Sequence, residues 1–354
     1  MEFYGLENYF SFACLAGACP STCCAGWSIQ VEEQDYHRFC QLERQELRED
    51  ILRHIQKRDG KYFFQNRADG SCAMLDEDGL CRIQRNSSEE VLCNTCRKYP
   101  RLFRMRQGIL YFSMAASCPV VSHALWQGKM SYIHGEESGK RCSIDGRKIP
   151  ISRRAWECFD RQEEKCSLYR ERIGKRGLFW DSLGRLFDIL VEMLSELSQR
   201  ERQPWEDWIL LYEGIWDAGE GMHCMDASEG KDFFSANGQK GEPGEVLFSF
   251  FQEWGERWQD FISEYLAYRF MGRQAMVDEE PEETFCQSMG EAYLMQAACF
   301  LEYWNRGALS EEVICGWIQR VYRLCANGRE GERKLRQRFY DFYQEKSLWI
   351  SLLF

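Results

Sequence analysis

Cys14-Leu15-Ala16-Gly17-Ala18-Cys19-Pro20-Ser21-Thr22-Cys23-Cys24-Ala25-Gly26-Trp27 places four thiols within eleven residues, separated by small and turn-forming residues that let the backbone curl around a shared centre. The stretch reads as a metal-binding knuckle, because thiolates are soft ligands for zinc or iron–sulfur groups. Cys72, Cys81, Cys96 and Cys118 follow downstream and can supply further thiols. Four thiolates complete a tetrahedral zinc site or hold one [4Fe–4S] cluster. Eight candidates therefore exceed the need of one centre. Either two centres exist, or one centre is accompanied by structural thiols; adjacent Cys23 and Cys24 are compatible with both.

Composition sets the context of that knuckle. The 354 residues can bury a substantial core and suffice for two domains. The 18 cysteines are too dilute for a disulfide scaffold, and ten of them precede residue 119, which points to a local site. The opening Met1 to Phe12 contains Glu2 and Glu7 and lacks a basic n-region, so no secretory signal is expected. No run is long and apolar enough to span a bilayer, and the closing Leu348 to Phe354 is far too short. These features predict a cytoplasmic protein with no membrane partner, in a reducing setting where clustered cysteines more often bind metal than pair as disulfides. The net charge of −11 repels phosphate backbones, so nucleic acid is not an expected partner. An acidic surface suits a lysine-bearing protein substrate, and equally serves solubility alone.

Outward from the knuckle, apolar residues at three- and four-residue steps predict one helix, or two in tandem, over 32–57, with Cys40 on the buried stripe. Asp69-Gly70 and Asp78-Gly79 mark turns around Cys72 and Cys81, which a hairpin-like ribbon would present together. Ser87-Ser88-Glu89-Glu90 reads as a helix start, with the helix running to about Lys98 and projecting Cys93 and Cys96 from one face. Arg101 to Met114 reads as a hairpin that delivers Cys118 just before Pro119. Residues 134–149 are polar and glycine-rich and mark a linker. Beyond it, helices are expected over 151–172, 178–200, 204–216, 246–271, 284–306, 310–326 and 331–345, with a long loop at 225–245. The fold expected is mainly α: a Cys-rich metal-binding N-terminal region with short β-hairpins at 1–133, the linker, and an α-helical bundle at 150–354.

Several familiar motifs are absent. A radical-S-adenosylmethionine signature needs a third cysteine where Gly26 stands. Gly135 to Lys140 is one residue too short for a P-loop, and Arg141 follows where Ser or Thr is required. No G-x-G-x-x-G follows a strand-like run, so a Rossmann-type domain has no support. The five histidines form no ligand pair.

The string Cys14-x4-Cys19-x3-Cys23-Cys24-x-Gly26-Trp27, with Asp69-Gly70-x-Cys72, Asp78-Gly79-Leu80-Cys81-x-Ile83-Gln84, Cys96-x2-Tyr99-Pro100-Arg101 and Ser117-Cys118-Pro119, resembles the flagellin lysine-N-methylase family. That family belongs to the group named for a zinc- or iron-chelating CxxCxxCC domain. Glu7-Asn8-Tyr9-Phe10 and Glu264-Tyr265-Leu266-Ala267-Tyr268-Arg269-Phe270 fit the same pattern. Two departures stand out: Cys93, where the family more often has a small polar residue, and Ala73-Met74 after Cys72, where Pro-Phe is usual.

The resemblance implies methyl transfer from S-adenosylmethionine to lysine ε-amines of flagellin, with a [4Fe–4S] cluster, or Zn²⁺ in its place, as the metal centre. It implies Cys14, Cys19, Cys23, Cys24, Cys72, Cys81, Cys96 and Cys118 as metal-site residues. Trp27, Tyr99 and Arg101 are candidates for the cofactor site: Trp27 to shield the metal or anchor the core, Arg101 to reach a cluster sulfur or the donor's carboxylate. No catalytic base is legible. The competing expectation is a non-catalytic module that zinc or a cluster staples for protein interaction.

Overall fold

The computed structural model describes residues 1–25, 27–136, 139, 141–150, 153–161, 243–276, 281–326, 337 and 339–340. Strand β1 (Glu2–Leu6) is the middle of a five-stranded sheet. Hairpin strands β5 (Arg101–Arg106) and β6 (Ile109–Met114) lie on one side of it, β7 (Tyr132–Glu136) and β8 (Arg141–Ile144) on the other, in the order β5-β6-β1-β7-β8. The β1–β6 pair is parallel and the others are antiparallel. Gly5 is what lets β1 approach, because a Cβ there would stand 2.7 Å from the Phe112 Cβ. Residues 134–149 are therefore no linker: they finish β7 and supply β8. Tyr132 and Ile133 bury their side chains, and β7 forms a ladder with all five residues of β1, which a solvated linker would not do.

A second, three-stranded sheet pairs β2 (Gln30–Val31) with β4 (Lys61–Phe64), and β4 with β3 (Ile55–Arg58). Against it pack α2 (Glu33–Cys40) and α3 (Gln45–Arg53), bringing the Phe39 ring to 6.2 Å from Phe64 and stacking Tyr36 on Tyr62 at 4.0 Å. Of the one helix or two in tandem expected over 32–57, the structure has two, and the end of the span from Ile55 is strand β3 instead. Cys40 is exposed at the end of α2 rather than buried, because Phe39 takes the inward position at 0% exposure. Ile29, Val31, Ile51, Met74, Ile83 and Leu92 close this smaller core together with Cys24, Cys72 and Cys93.

The helix expected from Ser87 begins instead at Asn94, as α5 (Asn94–Lys98). Leu92 and Cys93 are extended and buried, and the buried Asp35 carboxylate accepts the Asn94 backbone N–H at 2.7 Å, which fixes the start. Asp35 also pairs with Arg38 at 2.8 Å. Asp35→Ala would leave the Asn94 donor and the half-buried Arg38 without their partner, and is expected to cost about 2 kcal/mol in urea unfolding. Unchanged stability would show that α5 holds itself.

The larger core joins both ends of the chain. Leu6, Tyr111 and Met114 of the sheet and Trp126 of α6 (Pro119–Trp126) pack with α8 (Pro243–Met276), α9 (Pro281–Arg306) and α10 (Glu311–Ala326). Helical residues 153–161, here α7, add Trp156 and Phe159. These helices cover the expected segments at 246–271, 284–306 and 310–326; α8 crosses β5 and β6 closely, with a Cβ at Gly272 landing 2.8 Å from Ser113 Oγ. The helices expected at 178–200 and 204–216, with most of 162–172, 225–245 and 331–345, fall outside the described residues. Among the described residues no helix is long and apolar enough to cross a membrane.

Candidate functional site

The knuckle is shaped by its own short contacts. A 3-10 turn at Ala16–Ala18 lets the Ala16 N–H approach Cys14 Sγ at 3.3 Å, and Cys19 Sγ donates to the Ser21 carbonyl at 3.0 Å. Thr22 Oγ1 accepts the Cys24 N–H at 3.0 Å, and the Trp27 indole donates to the Cys23 carbonyl at 2.8 Å. The knuckle then docks on the Cys72 ribbon, whose N–H donates to the Cys24 carbonyl at 2.6 Å beside an Ala25–Ser71 bridge. A Leu75–Cys81 bridge across the Asp76 to Gly79 turn brings Cys81 alongside, as the ribbon expectation requires.

The thiols gather in two adjoining groups. Cys24, Cys72 and Cys93 are buried in the smaller core, with Cys81 and Cys96 packed against it. Cys118, at the start of α6, is instead within electrostatic reach of Cys14 and Cys19, and Cys23 of Cys14 and Cys118, while Cys19 also reaches Cys24 and Cys96 reaches Cys23, so the two groups touch. Neighbours Cys23 and Cys24 therefore diverge toward different groups while remaining hydrogen-bonded to each other. That bond pulls the Cys24 thiol down to about 7 and holds the Cys23 proton in place. Cys93 and Cys96 form a second pair of this kind, the bond from Cys96 lowering Cys93. Burial pushes Cys72 up to about 12 and Cys118 up to about 11. No disulfide joins the described cysteines. Among the described residues no three Cys, His, Asp or Glu side chains are gathered closely enough to hold a metal ion.

Beside Cys23 opens a cleft of about 720 Å³, within the range of small-molecule sites. Cys23, Trp27, Tyr99 and Arg101 all line it, so the three candidate cofactor residues and one thiol share one cavity. The Trp27 and Tyr99 rings stand 6.1 Å apart at 32°, forming an aromatic wall. The Tyr99 hydroxyl is hydrogen-bonded to Ser117 Oγ at 3.0 Å, and burial raises its pKa, so it stays protonated. Arg101 turns its guanidinium to the carbonyls of Tyr9 and Phe12 at 2.9 and 3.0 Å, clamping α1 (Asn8–Ser11) to the sheet.

Two lining residues have no signal in the sequence. Glu32 is the one acidic side chain among the described lining residues, and Asn94 Nδ2 donates to its Oε1 at 2.6 Å. Arg323 arrives from α10 and donates to Ser21 Oγ at 2.9 Å and to the Ser117 carbonyl at 3.3 Å, tying the knuckle to the helical half. Spacing along the chain cannot announce a contact made across 302 residues.

Beneath the cleft lies a buried polar network. Glu291 is ion-paired with Arg269 at 2.7 Å and accepts from its Nη2 at 2.8 Å, from the Tyr265 hydroxyl at 2.7 Å and from Gln287 Nε2 at 2.7 Å. Tyr268 donates to the Met114 carbonyl at 2.6 Å and accepts the Ala116 N–H at 3.0 Å, positioning the segment that leads to Ser117 and Cys118.

The chain is 28% identical over 116 residues to the lysine-N-methylases of Salmonella typhimurium and Salmonella choleraesuis. It is similar to lysine-N-methylases. The match takes in 31% of this chain and 29% of each of those enzymes, so it spans less than a third of their length. The flagellar biosynthetic protein FliU of Salmonella muenchen is 27% identical over 156 residues, which is 42% of this chain and 91% of that protein. No protein-family model and no solved structure matches.

Proposed function

We propose that the chain is a lysine N-methylase that uses S-adenosylmethionine to methylate lysine ε-amines of flagellin, with a Cys-held [4Fe–4S] cluster beside its cleft. The observation that carries this reading is the cleft itself. It combines an aromatic wall, one carboxylate and a thiol of the knuckle in a chain similar to lysine-N-methylases.

S-adenosylmethionine, when bound, supplies a methyl group on a sulfonium. The ring faces of Trp27 and Tyr99 suit such a cation, since aromatic quadrupoles attract positive charge. Glu32, held by Asn94, orients the lysine ammonium and takes its proton, freeing the lone pair that forms the new N–C bond as the S–C bond breaks. The Tyr99 hydroxyl, kept protonated by burial, cannot serve as the base. Cys14, Cys19, Cys23 and Cys118 supply four soft sulfurs, of which Cys23 lines the cleft; as they stand no three of them are close enough for a metal ion, and they would close together on the proposed cluster to hold it.

Glu32→Gln is expected to slow methyl transfer about 100-fold, the scale of general-base catalysis, with a residual rate that climbs with pH as more lysine is neutral in solution. An unchanged turnover would remove Glu32 from the mechanism. The whole reading is tested by anaerobic purification, iron, sulfide and zinc analysis, and incubation with labelled donor and flagellin. Stoichiometric zinc, no sulfide and no label transfer would establish the stapled interaction module instead.

A further inference from the structure

The cleft opens along β5, since Arg101, Leu102, Phe103 and Arg104 all line it. That strand is an edge: among the described residues it pairs with β6 alone. The hairpin turns through Gln107 and Gly108, both at positive φ, the geometry of a two-residue turn closed by a hydrogen-bonded Arg106–Ile109 pair. Hydrogen-bonded and open pairs alternate from there, so Arg104 and Leu102 bond inward to β6. Met105 and Phe103 then direct their N–H and C=O groups to the outer edge. The Ala115 N–H donating to the Pro100 carbonyl at 2.8 Å fits the same alternation.

Apolar side chains of that edge are also exposed. Phe103 is 46% exposed and Met105 64%, and the Phe112 ring opposite Phe103 touches Phe10, which is 40% exposed. The Lys98 ammonium stands 5.4 Å from the Phe103 ring, and Arg104 is exposed on the strand. A chain of net charge −11 thus carries an apolar strip along β5 whose charged residues, Arg101, Arg104 and Arg106, are all basic. Long exposed edges invite an added strand, and basic side chains on them repel a second copy of the same edge. The charge that complements them is acidic.

We propose that the free edge of β5 docks an extended segment of the protein substrate, apolar and acidic in alternation, as an added strand that leads its lysine into the cleft. The inference rests on the methylase reading and specifies how that site selects its substrate. Main-chain hydrogen bonds to Phe103 and Met105 give affinity, the apolar strip receives alternate side chains, and Lys98 and Arg104 select acidic neighbours.

The test uses the full chain and a fluorescein-labelled peptide alternating valine with aspartate or glutamate around one central lysine, read by fluorescence polarisation without donor. Met105→Pro removes an outward N–H at a position where an edge strand tolerates proline, and should weaken binding about tenfold. Lys98→Glu with Arg104→Glu should weaken it by a similar factor and flatten its salt dependence. The peptide should also slow hydrogen exchange at the Phe103 and Met105 amides. Undiminished binding by Met105→Pro with an unchanged circular dichroism spectrum would overturn the proposal. So would protection of other strands alone, or a β5-mediated dimer in sedimentation that the peptide fails to displace. Flagellin methylation indifferent to these variants would sink strand docking and leave the methylase reading standing. Peptide binding without any methyl transfer would do the reverse.

Discussion

Glu291→Ala is expected to lower the unfolding free energy by about 3–5 kcal/mol, the cost of leaving one partner of a buried ion pair uncompensated. Glu291 is 0% exposed and Arg269 4%, so water cannot replace the lost carboxylate. The substitution also strands the Tyr265 hydroxyl and takes from Gln287 Nε2 one of its two acceptors, the other being the Cys325 carbonyl at 3.1 Å. Replacing Glu291 and Arg269 together by leucine should recover much of the loss, because two apolar groups of similar bulk need no partner. A double variant as unstable as Glu291→Ala would mean that the tyrosines, rather than the ion pair, carry the stability. The damage should reach the cleft, since Tyr268 and Arg269 are consecutive and Tyr268 holds Met114 and Ala116 through both ends of its hydroxyl.

This network also shows how far the sequence could be read. Glu264 to Phe270 was recognisable as a motif, and α8 had a clear apolar period. Nothing in either said that Tyr265, Tyr268 and Arg269 face a carboxylate on another helix. Local signals served where the chain closes on itself: the Arg101 to Met114 hairpin and the Cys72 to Cys81 ribbon both form around turns that the sequence names. They failed where a distant partner decides. Residues 134–149 look like a polar linker until β1 supplies a strand to pair with. Ser87 looks like a helix cap until Asp35 claims Asn94. Cys93, an oddity in sequence, is buried with Cys24 and Cys72 and bonded to Cys96. Glu32 and Arg323 are ordinary surface charges on paper, and only tertiary packing brings them to the cleft.

The cysteines yield the second large effect, because their two groups differ in setting. If the proposed cluster is held by Cys14, Cys19, Cys23 and Cys118, Cys19→Ser with Cys118→Ser removes two of its four thiols and should strip most of the iron and sulfide from anaerobically purified protein. Two serine hydroxyls cannot replace thiolates toward a soft metal, and the two sulfurs left are too few for a cluster. The smaller core should survive, since neither residue belongs to it. Cys299 and Cys315 lie in the helical part of the larger core, so Cys299→Ser or Cys315→Ser should leave iron content unchanged, as should Cys40→Ser at the exposed end of α2. Cys72→Ser exchanges a buried thiol for a smaller hydroxyl among Cys24, Met74 and Ile83, and should destabilise that core by about 1–3 kcal/mol. Iron retained in full after loss of Cys19 and Cys118, but lost with Cys72, would assign the cluster to the buried group and separate it from the cleft. The proposed contact between metal site and reaction site would then be wrong, because of the thiols only Cys23, outside the buried group, is among the described residues that line the cavity.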